Sequence, residues 1–417
     1  MLNSKTTALR TGAAFLCMLV ITACMVIEGD RHHFETEEEE NENWYHNISR
    51  DSWAWQGADP EVIERVLARI ASSKNARRDP NLLDSVKDYG PGHWVFEWET
   101  AGDQVLDFAR KAEQTGETAR ARKLFFEASS YYTTASYPHL KNDALAMRAL
   151  NKARLSYQAG GRLLEVPLQT VRIRHGQHAF NAYLHLPKGP GPHPLVVQSM
   201  GSDVVKEQAL GVFSRHLAPR GIAMLSIDMP GIGESGAFPL TASSDILHVA
   251  AVRAMRRHPS VDGDRIAVMG ASFGGHPAAR ILFRKELSLA GSVSICGPLD
   301  SAFLMEEDDY AKLPEMTLDA VKDRLGFSKE VAWEQFSERF RSFSLAQQGI
   351  YGQSAETPLL VVTTHADPVA PLSDLKPLVQ AARNSHTVIL YEQGHCPDKD
   401  VRYAVAADWL TDLFSRL

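Results

Sequence analysis

The chain has 417 residues, 44% hydrophobic and 23% charged, with a formal net charge of −7. That is enough apolar material for a large core, and the length favours two or three folding units over one. With no basic block and no interleaving of basic and aromatic residues, nothing would neutralise a phosphate backbone, so nucleic acid is excluded as a partner.

At the N-terminus, Lys5 and Arg10 precede an uncharged apolar run, Thr11 to Ala23. It is too short to cross a bilayer and has the layout of a secretory signal. Ile21-Thr22-Ala23-Cys24 resembles a bacterial lipobox. This predicts lipidation of Cys24 and an exported, membrane-attached protein; a plain signal peptide, leaving the protein periplasmic or secreted, and an uncleaved anchor are the alternatives. Residues 1–24 are therefore set apart from the fold. The acidic run Glu35 to Asn43 offers nothing apolar to bury, and residues 25–50 are expected to be a disordered tether.

Residues 51–162 read as a helical cap domain. Pro60 to Ile70 places apolar residues at three-and-four spacing, with Asp59 as N-cap and Pro60 in the first turn. A second helix is expected to start at Asn81-Leu-Leu-Asp84, a third to run from Trp98 to Glu113, and two more from Thr118 to Thr134 and Asn142 to Gln158. Pro138 breaks the chain between the last two. No repeat at a fixed period is present.

The period changes after Gly160-Gly161. Leu168 to Arg174 and Ala179 to Leu186 alternate as the strands of a hairpin. Short apolar runs follow at Pro194–Ser199, Ala223–Asp228, Ile266–Gly270, Ala290–Ile295, Leu359–Thr363 and Thr387–Tyr391, with helical stretches between most of them. Such runs predict buried parallel strands. Residues 163–417 are thus expected to form an α/β-hydrolase core, a mostly parallel sheet with helices on both faces. A helical lid insertion is placed at about 300–353, where Phe327, Trp333, Phe336, Phe340 and Phe343 give an aromatic face for internal packing.

Gly270-Ala-Ser272-Phe-Gly274 lies between a strand and a helix, the context in which G-x-S-x-G is a nucleophile elbow. A serine hydroxyl needs a base to take its proton and a carboxylate to orient that base, and in this fold the chain order is Ser, acid, His. Asp367 and His395 fall just beyond apolar strands in that order, which gives the candidate triad Ser272, Asp367, His395. His365 is a second imidazole, expected at the rim, and Asp374 and Asp398 are rival carboxylates. The oxyanion donors are expected to be the backbone N–H of Phe273 and that of Gly201 or Ser202.

Gly231 to Gly236 spells G-x-G-x-x-G, but no helix opens after it and Glu234 would repel a pyrophosphate, so it predicts a loop at the site mouth. No metal and no organic cofactor is implied. If Cys17 leaves with the signal and Cys24 is lipidated, Cys296 and Cys396 remain. Export would permit a disulfide, yet two free, partly buried cysteines are expected.

From Trp44 onward the chain resembles the FrsA-like (fermentation/respiration switch protein) family of α/β-hydrolases. The resemblance rests on Trp44-Tyr-His-Asn-Ile-Ser-Arg50, Trp53-Ala-Trp55 with Gly57-Ala-Asp-Pro60, Trp94-Val-Phe-Glu-Trp98, Ala135-Ser-Tyr-Pro-His-Leu-Lys141, Ala218-Pro-Arg-Gly-Ile-Ala-Met-Leu225 and Asp228-Met-Pro230. It implies a helical cap on a hydrolase core and carboxylesterase activity on a small-molecule ester with a short acyl group. Related cap-plus-core enzymes imply a second option, carbon–carbon hydrolysis of diketone-like substrates; Glu97 or His139 could serve there, although a capping or packing role is expected of each. A noncatalytic anchored binding protein is the alternative outside the enzymes. The oligomeric state is not legible.

Overall fold

In the computed structural model, which describes residues 43–417 and the backbone of residues 25–28, nine strands form one sheet. They are β1 (Met25–Glu28), β2 (Gln169–His175), β3 (His178–His185), β4 (His193–Ser199), β5 (Ala223–Ser226), β6 (Val261–Ala271), β7 (Gly291–Ile295), β8 (Leu359–Ala366) and β9 (Ser385–Gln393). The spatial order is β1-β9-β8-β7-β6-β4-β5-β3-β2. β3 runs antiparallel to β2 and β5, and every other neighbouring pair is parallel.

Alternation along the central strands sorts their side chains onto two cores. On one face Val196, Met224, Met269, Val293 and Val362 pack with Tyr403, Ala406, Leu410 and Phe414 of a C-terminal helix, Lys399–Ser415. On the other, Leu195, Val197, Leu225 and Val268 meet Leu247, Ala251 and Met255 of helix Ile246–Met255. Both faces being covered, the runs carry apolar residues at successive positions.

The N-terminal helices are α1 (Arg50–Trp55), α2 (Pro60–Ala71), α3 (Trp94–Gln114), α4 (Thr118–Ser136) and α5 (Ala144–Arg162). Asp59 caps α2 by accepting from the amides of Glu61 and Val62. Trp53, Ile63, Val66, Ile70, Trp94, Trp98 and Tyr131 form the core of this unit. The hydrolase unit adds α6 (Ile246–Met255), α7 (Gly275–Ile281), α8 (Glu307–Tyr310), α9 (Glu315–Leu325), α10 (Trp333–Arg341), α11 (Leu372–Ala381) and α12 (Lys399–Ser415). α8 to α10 belong to the insertion, and their aromatic residues Tyr310, Phe336 and Phe340 pack with Phe303, Phe343 and Phe273. Phe327 and Trp333 sit at the edge of that cluster.

Three expectations need correction. No helix starts at Asn81–Asp84: the segment is a turn, closed by the bridge between Arg77 and Val86, and the Asp84 carboxylate is taken by the amides of Tyr45 and His46. The tether is shorter than residues 25–50. Met25–Glu28 adds an edge strand beside β9, and Trp44 to Ile48 packs on the cap and lid, with the Tyr45 hydroxyl donating to Asp319. Most of the acidic run, the signal segment and Cys24 lie outside the described residues. Third, Cys296 and Cys396 are not free but bonded to each other, with Cα atoms 5.1 Å apart. Cys296 follows β7 and Cys396 follows β9, so both loops cross the same rim of the sheet and meet there. Among the described residues no helix is long and apolar enough to cross a membrane.

Candidate active site

Ser272 follows the last residue of β6 and holds φ at +53°, a left-handed conformation that costs a residue with a Cβ and recurs at functional sites. The turn around it has no room for side chains on its glycines. A Cβ on Gly270 would lie 1.9 Å from the carbonyl oxygen of Gly274, and one on Gly274 would lie 2.6 Å from that of Met200. Glycine at both positions lets the strand, the turn and the loop after β4 close on one another, which lifts the hydroxyl to the sheet rim.

The next crossings of the sheet deliver the other two groups. Ser272 Oγ lies 2.8 Å from His395 Nε2, and His395 Nδ1 lies 2.9 and 3.0 Å from the two Asp367 oxygens. The structure thus brings together all three predicted residues, from the ends of β6, β8 and β9. Asp367 is enclosed, and its carboxylate also accepts from the amides of Val369, Ala370 and Cys396. Burial opposes its charge. The hydrogen bond and positive field of His395, with those amides, outweigh burial and hold the carboxyl below its usual pKa. An ionised Asp367 keeps the proton on Nδ1 and leaves Nε2 to face the serine.

The rival residues have other work. His365 is exposed and stacks on Tyr391, with ring centroids 5.0 Å apart. Asp398 caps α12, and Asp374 accepts from the amides of Asp300 and Ser301 at the root of the lid. Glu97 pairs with Arg69 inside the cap, and buried His139 bonds Ser136; neither lines the cavity over Ser272.

That cavity holds about 190 Å³ and lies between cap and core. Its hydrolase wall includes Met200, Gly201, Asp203, Ala271, Ser272, His395, Cys396 and Arg402; its cap wall includes Ser52, Gln56, Thr133, Thr134 and Tyr137. Gly201 stands against the nucleophile, since a Cβ there would come within 3.4 Å of Ser272 Cβ. Ser202 is not among the lining residues; its carbonyl turns away to accept from Arg324 Nε at 2.8 Å. Of the two sequence candidates beside Phe273, Gly201 is the one that lines the cavity. A larger cavity, about 750 Å³, opens between cap and lid, and none of the triad lines it.

A model described as Esterase FrsA-like matches residues 25–414. The chain belongs to the FrsA-like esterase family. It is 37% identical over 338 residues to "Esterase FrsA" of Vibrio cholerae, covering 81% of this chain and 80% of that one. It is 36% identical over 330 residues to the protein of the same name from Salmonella paratyphi B, covering 79% and 78%. Among solved structures, the 2,6-dihydroxy-pseudo-oxynicotine hydrolase superposes with a TM-score of 0.71 at 19% identity, over 88% of this chain and 95% of that one. AbyA5 gives 0.60 at 20% identity, over 78% and 95%. At these identities the likeness is one of fold, the α/β-hydrolase fold, and the family makes this FrsA-like chain a hydrolase of the esterase kind.

Sequence reasoning missed the supports around the triad. Lys206, just beyond the loop that follows β4, is fully buried with its ammonium 2.9 Å from Asp228, 3.1 Å from Glu207 and 2.8 Å from Glu234. Burial alone would discharge it, but the carboxylates outweigh that and raise its pKa well above the ordinary value. The glycine-rich segment is thereby anchored to the β4 loop, because Asp228 also accepts from the amides of Lys206 and Glu234. Arg324 of α9, also buried, ties three units together by donating to Ser202 of the core, Pro138 of the cap and its neighbour Asp323. A lone arginine inside an otherwise ordinary amphipathic helix leaves no pattern that would single it out. The cystine was the alternative that the sequence reading set aside in favour of two free thiols. His395 and the two sulfurs form a cluster of metal-ligand type, but the sulfurs are bonded to each other and are not thiolates.

Proposed function

We propose that this FrsA-like protein is a carboxylesterase-type serine hydrolase that cleaves small acyl esters through a covalent acyl-enzyme. His395 Nε2 takes the Ser272 proton as Oγ attacks the ester carbonyl carbon. Asp367 stabilises the imidazolium that forms, and the amides of Phe273 and Gly201 receive the negative oxygen. Collapse of the tetrahedral intermediate breaks the bond to the alcohol oxygen, which leaves with the proton from His395. Water, deprotonated by the same imidazole, then attacks the acyl-serine and frees the acid and the Ser272 hydroxyl.

The observation that carries this is the continuous hydrogen-bonded line from Ser272 through His395 to Asp367, with the serine held at positive φ. Its test is turnover of p-nitrophenyl acetate by the wild type and by Ser272→Ala. The wild type should release p-nitrophenol and the variant should not, with its circular dichroism unchanged; equal rates would refute the assignment.

We also propose export, with lipidation at Cys24 holding the protein to a membrane. A cystine beside the candidate active site is at home in an oxidising compartment, which supports that reading. Cells fed a palmitate analogue should label the wild type and not Cys24→Ser; equal labelling of the two would contradict it.

A further inference from the structure

We propose that the cavity selects esters that carry a second, anionic group, a carboxylate held by Arg402; this rests on the esterase reading above. The argument begins with an unbalanced charge. Arg402 is 8% exposed, so more than nine-tenths of it is out of water, and it lines the cavity that holds Ser272 and His395. Its Nη1 donates to the Pro397 carbonyl at 2.9 Å, and its Nε, also buried, has no hydrogen-bond partner. Among the described residues no carboxylate pairs with it. Elsewhere in the molecule buried cations are matched: Lys206 by three carboxylates, Arg324 by Asp323.

A guanidinium taken out of water without a counter-charge is destabilising, and its planar fork fits a carboxylate through two parallel hydrogen bonds. The surroundings point the same way. The first turn of α12, from which Arg402 comes, carries that helix's partial positive end. The cap wall is polar, with Asn47, Ser52, Gln56 and Thr133 among its lining residues, where a site for plain acyl chains would be mostly hydrocarbon. Asp203, the carboxylate among the lining residues, is engaged by the Tyr137 hydroxyl at 2.6 Å. A volume of about 190 Å³ suits a short molecule with an ester at one end and a charge at the other, and leaves little for a long chain.

The test compares monomethyl succinate with dimethyl succinate, its neutral counterpart, by methanol release at neutral pH. The wild type should favour the charged ester by about tenfold or more in kcat/KM, chiefly through KM, as a charge-assisted hydrogen bond implies. In Arg402→Met that ratio should fall about tenfold or more, and Arg402→Lys should restore part of it. Free succinate should inhibit hydrolysis of the neutral ester by the unaltered protein, and butyramide should not, a reading that needs no variant. No preference in the wild type, no inhibition by succinate, or a variant that slows both esters equally would overturn the inference, the last by reducing Arg402 to a brace for Pro397. If the wild type cleaves neither ester nor p-nitrophenyl acetate, it is the esterase reading that has failed, and this inference falls with it.

Discussion

The two walls of the cavity over Ser272 differ in what holds their functional groups. On the hydrolase wall position comes from the backbone: Ser272 at positive φ, glycines at 270 and 274 that no other residue could replace, and His395 on a loop bonded to the end of β7 through Cys396. On the cap wall many of the groups are side chains of regular helices, Ser52 within α1 and Gln56 just after it, Thr133 and Thr134 near the end of α4. Helical side chains can be exchanged without moving the main chain, whereas the elbow cannot change without moving the sheet. The geometry therefore puts bond breaking on the backbone-built part of the hydrolase wall and leaves helical side chains, those of the cap and Arg402 of α12 alike, to adjust what is bound.

Variants and conditions can break or sharpen that division. The largest effect should come from the rigid wall: Ser272→Ala should lower kcat/KM for p-nitrophenyl acetate by about 10⁴ or more, measured by p-nitrophenol release. A loss of a few-fold would mean that the elbow is not where bonds break.

Acid should come next, acting on stability. His185, His248 and His276 in the hydrolase unit are held neutral by burial with pKa values of about 4, and His139 in the cap at about 3. An unfolded histidine titrates near 6.5, so below about pH 6.5 the unfolded chain binds protons that the folded one refuses. Stability is whole above that value and is lost as pH falls toward about 4, by on the order of 3 kcal/mol per group. Four such groups rival a whole domain's stability of about 5–15 kcal/mol, so the urea midpoint should fall steeply between pH 6.5 and 4. A flat midpoint across that window would contradict the buried, neutral assignment.

Removing the cystine should have a smaller effect on stability. Cys396→Ser, which opens a loop with a sequence separation of 100, should cost about 2–4 kcal/mol in thermal or urea unfolding. It should also lower kcat, because the loop that carries His395 loses its tie to β7. A variant with reduced stability and unaltered kcat would show that the hydrogen bonds of Asp367 alone fix the histidine.

The smallest effect belongs to the exchangeable wall. Thr133→Val should shift KM a few-fold and leave kcat nearly as it was, read from initial rates over a range of ester concentrations. A large fall in kcat would erase the division between the walls.

Much of the rigid wall was legible because each part leaves a mark along the chain. Continuous apolar runs gave the inner strands, and the elbow, Asp367 and His395 each sit immediately after one. The exchangeable wall left none, since polar residues on cap helices look alike whether they face solvent or a cavity. The same blindness hid Arg324 and Arg402, whose roles depend on neighbours distant in sequence. The pairing of Cys296 with Cys396 depended on two loops meeting across β8, which no spacing encodes. At Asn81–Asp84 local propensity favoured a helix start, but the tertiary demand of the Tyr45 and His46 amides for a carboxylate prevailed.

The most direct measurement is to trap the acyl-enzyme analogue: react the protein with a fluorophosphonate and locate the adduct by peptide mass spectrometry. The account predicts one stoichiometric adduct on Ser272, lost in Ser272→Ala and formed much more slowly in His395→Ala. An adduct on another residue, or none on a protein that still hydrolyses esters, would contradict it.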